Sequence, residues 1–104
     1  MFACQWSFDI PFDKQSEAFQ IMKAWAEDSS AYAGFKRAIS RRIMVGHKGV
    51  SASHIIVEHV FESLADFEEA ISGMGAPQFK KHSDSLVPYM VSGSQNWRMY
   101  RVIE

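Results

Sequence analysis

The chain reads twice in one order, an extended segment, a long amphipathic helix and a second extended segment, and this repeat uses almost all of its 104 residues. Residues 3 to 10 alternate, with Cys4, Trp6, Phe8 and Ile10 on one face and Ala3, Gln5, Ser7 and Asp9 on the other, the period of a strand. Pro11 ends that strand and Asp13 is expected to cap a helix. Within it Ala18, Phe19, Met22, Trp25 and Ala26 recur at helical spacing through about Glu27. Lys14, Glu17, Lys23 and Glu27 form the opposite, solvated face. Asp28-Ser29-Ser30 and Gly34 mark a connection, after which residues 39 to 45 resume an extended pattern that sends Arg41 and Arg42 to opposite sides.

The second half repeats the plan. Residues 54 to 61, His-Ile-Ile-Val-Glu-His-Val-Phe, are dominated by β-branched and aromatic side chains and are expected as a central strand. Ser63 with Asp66 resembles a capping box, and Leu64, Phe67, Ala70, Ile71 and Met74 make the helical stripe behind it. Gly73-Met74-Gly75-Ala76-Pro77 is expected to break that helix, with Pro77 opening a further helical piece that carries Phe79, His82 or Ser83, and Leu86. Residues 95 to 103 alternate again as a fourth strand.

Two such units joined by right-handed crossovers predict an α+β, ferredoxin-like β-α-β-β-α-β fold, a four-stranded antiparallel sheet with its helices on one face, in one domain spanning residues 1–104. With the helices on the Trp6 face, Gln5, Ser7, His54, Ile56, Glu58 and Val60 are left on a bare face. A mixed patch of that size on a small chain predicts a homodimer formed sheet to sheet, with Arg41 or Arg42, and Arg98 or Arg101, placed to neutralise Glu58. A formal charge of −1 gives no field for nucleic acid or anionic lipid, and the basic run from Lys36 to Arg42 alternates between two faces of a strand. Met1 to Trp6 run directly into a strand without a basic leader or a long apolar stretch, so neither secretion nor membrane insertion is expected and the cytoplasm is the expected location.

The element order, the length, the broken second helix and the aromatic fourth strand together resemble the dimeric α+β barrel superfamily, which includes the antibiotic-biosynthesis-monooxygenase-like, stress-responsive barrel and NIPSNAP-like families. The resemblance implies a small-molecule-binding homodimer. If the protein is an enzyme, the implied activity is cofactor-independent monooxygenation of an apolar or aromatic metabolite, with no cofactor. Two alternatives follow from the same resemblance: a non-enzymatic dimerisation or stress-response-type barrel, and a haem-binding or haem-degrading barrel. For the last, Phe79-Lys80-Lys81-His82 is similar to the helical His segment of the haem-degrading branch. Strand one lacks the Asn of that branch, and Ala70 or a neighbour stands where its helical Trp would be.

Two histidines are the candidate catalytic bases, since imidazole titrates near neutral pH. His82 follows the helix break, a segment that lines the cleft between helices and sheet in similar folds. His59 shares its face with Ile55, Val57 and Phe61, where it is either a satisfied core residue or a base in a dry aromatic pocket. Trp6, Trp97 and Tyr100 are the candidate substrate-binding residues, with Trp25 a further aromatic neighbour. His47 and His54 flank a Gly- and Ser-rich turn without a supporting carboxylate or Cys, so no metal is expected. Cys4 reads as a buried apolar thiol rather than a nucleophile.

Overall fold

Alternating apolar side chains produce four strands, β1 (Phe2–Asp9), β2 (Ser40–Val45), β3 (His54–Phe61) and β4 (Asn96–Arg101), in one antiparallel sheet of order β2-β3-β1-β4. The helices are α1 (Gln15–Ala31), α2 (Leu64–Gly73) and α3 (Pro77–Leu86). The computed structural model describes residues 1–31, 35, 37–73 and 77–103. The ferredoxin-like order and the central place of residues 54 to 61 are as the sequence predicts. Helix α1 runs on to Ala31, past the Asp28-Ser29-Ser30 stretch read as a connection, while Gly34 lies outside the described residues. Of the expected break, Met74, Gly75 and Ala76 also lie outside them, with α2 ending at Gly73 before it and α3 opening at Pro77 after it.

Local chemistry sets the helix starts. Asp13 does not cap α1. It sits inside a single 3-10 turn, Phe12–Lys14, closed by the Lys14 amide donating to the Pro11 carbonyl at 2.9 Å. Gln15 does the anchoring instead, its buried amide donating to the carbonyls of Ile10 at 3.2 Å and Ala52 at 2.6 Å. This one side chain ties the start of α1 to the end of β1 and to the β2–β3 connection. For α2, the expected cap forms on one side: Ser63 Oγ accepts from the Asp66 amide at 3.2 Å. In the β2–β3 connection Gly49 adopts φ +77°, and a side chain at Gly46 would run into the backbone of Ser51, so neither position tolerates a Cβ without rearrangement.

The core is in two parts. Phe8, Ile10, Ala18, Met22, Ile55 and Leu86 are buried together where α1 and α3 cover one end of the sheet. Phe35, Phe61 and Ala70 form a second cluster where α2 covers the other. Each large side chain taken out of water contributes on the order of 1.5–3 kcal/mol. Helix α1 packs on α3, whereas α2 contacts mainly β3, so the helical layer is split above the middle of the sheet.

On the face without helices, Glu58 is buried and accepts from Gln5 Nε2 at 2.8 Å and from Arg42 Nε at 2.8 Å. Of the arginines expected near Glu58, Arg42 of the same chain is the partner. Burial pushes the Glu58 carboxyl up, but the Gln5 and Arg42 hydrogen bonds and the guanidinium charge outweigh it and hold it below the usual carboxylate range. A depressed carboxyl stabilises the fold above its unfolded pKa of about 4.3, and that contribution disappears as pH falls through the folded value. Glu58→Gln is therefore expected to be about 1 kcal/mol less stable than the parent in urea unfolding at pH 7, Arg42 being well exposed and screened. The difference should close in acid; a constant difference from pH 7 to pH 3 would show that the carboxylate charge contributes nothing.

Candidate functional site

Register lays the site out in rows. Antiparallel pairing aligns Trp97 with Trp6, Trp6 with Val57, and Val57 with Ile43, a line of four apolar side chains crossing the whole sheet on its helix side. The adjacent line is Met99, Cys4, His59 and Arg41. Above these rows the helical layer is split, and a cavity of about 350 Å³ lies between the two core clusters. All four members of the first row line it, as do Cys4, His59 and Arg41 of the second.

One wall is made of tryptophans. Trp6 stacks on Trp97 with ring centres 5.7 Å apart and 15° between planes, and meets Trp25 of α1 edge-on at 5.6 Å. The Trp6 indole N–H donates to Gln95 Oε1 at 3.3 Å, which fixes the ring that joins the other two. Trp97 is 52% exposed, so this wall reaches solvent and forms part of an opening. The opposite wall is phenylalanine: Phe35 meets His59 edge-on at 4.9 Å, and Phe61 packs against both Phe35 and Phe67.

His59 is the polar group inside. Among the described residues its ring makes no hydrogen bond, and no buried side-chain nitrogen or oxygen there lacks a partner, so the imidazole nitrogens face open volume. Burial, then the nearby Arg41 charge, lower its pKa to about 4, against a smaller opposing pull from Glu58. The ring is therefore neutral at physiological pH. Cys4, directly across from it in the register, is buried, and burial pushes its thiol up to about 11, so it stays protonated and apolar in character.

Two of the expected site residues are placed elsewhere. Tyr100 pairs with Ala3, which puts it on the helix-free face, and it does not line the cavity; strand alternation separates it from Trp97. His82 does not line the cavity either. It is buried where α3 meets α1, its Nε2 2.5 Å from Asp28 Oδ2, and its ring stacks on Trp25 with centres 6.1 Å apart. The sequence reading does not assign Arg41, Phe35 or Phe61 to the cavity; Phe35 falls after a segment without periodicity, and Arg41 needs the register to place it beside His59. His54, which flanks the Gly- and Ser-rich turn with His47, pairs with the Asp9 carboxylate at 3.0 Å. Among the described residues no three His, Cys, Asp or Glu side chains are grouped to hold a metal, and no helix is long and apolar enough to cross a membrane.

No protein-family model matches the chain, and no curated protein matches it in sequence. Solved structures do match in shape. A NIPSNAP domain protein from Burkholderia xenovorans superposes with a TM-score of 0.76 at 14% identity over 98% of this chain and 94% of its own. A putative antibiotic biosynthesis monooxygenase from Nitrosomonas europaea gives 0.74 at 10% identity over the whole of both chains. SnoaB of Streptomyces nogalater, a cofactor-independent oxygenase, gives 0.73 at 10% identity over 99% of this chain and 93% of its own. The protein thus has the ferredoxin-like α+β fold shared by antibiotic-biosynthesis-monooxygenase-like and NIPSNAP-like proteins. At these identities the likeness concerns the fold.

Two measurements check the site. In an NMR pH titration His59 should remain neutral down to about pH 4, and Arg41→Gln should raise its midpoint; a midpoint near the ordinary value of about 6.5 would mean the ring is solvated. Because the folded pKa lies below the unfolded one, this group weakens the fold as pH falls from about 6.5 towards 4. His82→Ala should cost about 1–3 kcal/mol, the value of a hydrogen bond to a charged group, with the His59 titration unmoved.

Proposed function

We propose that the protein is a single-domain, cytoplasmic homodimer that binds a small, largely apolar aromatic molecule in the cavity between helices and sheet, and acts on it as a cofactor-independent monooxygenase. The observation that carries this is the open, aromatic-walled volume of about 350 Å³ with one neutral imidazole inside, in a fold shared with a cofactor-independent oxygenase. Ligand sites run from about 300 Å³ upward, so the volume argues against a barrel with a filled interior. The helix-free sheet face, with Tyr100 half exposed around the Glu58 network, is the proposed dimer surface.

In this reading His59 takes a proton from an acidic C–H or O–H of the bound substrate. The resulting delocalised carbanion of a CH2 group adds dioxygen at that carbon; the peroxide so formed takes back the proton from His59, and loss of the carbon's second hydrogen with cleavage of the O–O bond leaves a carbonyl and releases the other oxygen as water. Trp6, Trp25 and Trp97 flank the ring system on one side and restrict its orientation. The low basicity of His59 favours a second reading, sequestration of the ligand without turnover.

Anthrone, a tricyclic CH acid, is the probe that separates them. Titration should quench tryptophan fluorescence with saturation, and oxygen uptake in its presence should fall at least tenfold in His59→Ala. Saturable quenching without oxygen uptake supports sequestration; no quenching by anthrone or any smaller aromatic overturns both. Light scattering at micromolar concentration should give a dimer.

A further inference from the structure

The side chains that line the cavity are unbalanced in charge. Two of them are cationic, Lys23 and Arg41, and none is acidic, although the chain as a whole carries a formal charge of −1; Arg42 also borders the cavity but turns its side chain to the helix-free face. Arg42 is committed to Glu58. Lys23 and Arg41 make no ion pair among the described residues. Both are exposed, so they stand at the rim, whereas the interior is made of Trp, Phe, Val and Ile side chains with His59 as its polar group.

An apolar interior with a cationic rim selects a particular kind of molecule. A polyanion such as a nucleotide would bring several charged oxygens to a site that offers few donors, at a desolvation cost that nothing inside repays. A wholly neutral hydrocarbon would leave both cations unused. We propose that the natural ligand is an aromatic organic acid, whose ring system lies between the tryptophan and phenylalanine walls and whose single carboxylate pairs with Arg41 at the rim. The guanidinium offers a planar two-pronged donor that matches a carboxylate, and it adjoins His59 in the register, so the acid group and the imidazole would meet the same end of the ligand. That the Arg41 charge contributes to the depression of His59 shows that its field reaches into the volume.

This deepens the reading above and rests on the cavity being a ligand site, and a matched pair of probes separates the two. The test is to measure 2-naphthoic acid and 2-naphthamide by tryptophan quenching with wild type and with Arg41→Gln, an exposed strand position where folding is checked by circular dichroism. The expected result is that the acid binds wild type at least tenfold more tightly than the amide, that raising the salt concentration weakens the acid alone, and that Arg41→Gln brings the two within about twofold by weakening the acid. Equal binding of acid and amide to wild type, or a preference that survives Arg41→Gln, overturns the proposal while leaving the cavity a ligand site. Failure of both probes to bind overturns the cavity reading and this proposal with it.

Discussion

The pairing of β1 with β3 is the constraint on which the rest of the molecule depends. These strands are the two centre members of the sheet, and their register places Trp6 beside Val57 and Cys4 beside His59. Because side chains alternate faces, a slip of one residue would either carry Phe8 and Ile10 out of the core or turn Glu58 inward among apolar groups. The register is held from both faces: Phe8, Ile10 and Ile55 are fully buried on one, and Gln5 donates across the strand pair to Glu58 on the other. The edge strands inherit their alignment from this pair, which is how Trp97 and Ile43 come to close the ends of one row.

The cavity above these rows carries an energetic cost, since apolar area that faces it is not packed against other side chains and forgoes about 25 cal/mol per Å² of burial. The fold tolerates it because each half of the core is secured separately. Gln15 and the His82–Asp28 hydrogen bond pin α1 and α3 over the first cluster, while Phe35, Phe61 and Ala70 hold the second.

Much of this was legible in the sequence, and the boundary of legibility is physical. Alternation revealed all four strands and the helix-side placement of Trp6, Phe8 and His59, because a strand's faces follow from its own residues. The same alternation put Arg41 and Arg42 on opposite sides. What alternation cannot give is register between strands, and so the Arg41–His59–Cys4 row was out of reach. Tyr100 and Trp97 look like one aromatic cluster in the sequence, but their separation by three residues in an extended strand points them to opposite faces. The position of His82 after the helix break points to the cleft; its hydrogen bond to Asp28 depends on α1 continuing beyond Glu27, where Ser29 and Ser30 suggest an end.

Adjacent arginines on β2 show how one strand serves two chemistries. Arg42 faces outward and balances the buried charge of Glu58; Arg41 faces the cavity, has no acidic partner among the described residues, and makes the neighbouring imidazole less basic. The depression of His59 has two sources, burial and the Arg41 charge, and they respond differently to a ligand. An aromatic body entering the cavity displaces water and preserves the first. A negative charge placed on Arg41 would offset the second and favour the imidazolium. Arg41 and His59 are thus electrostatically linked as neighbours in one row of the sheet.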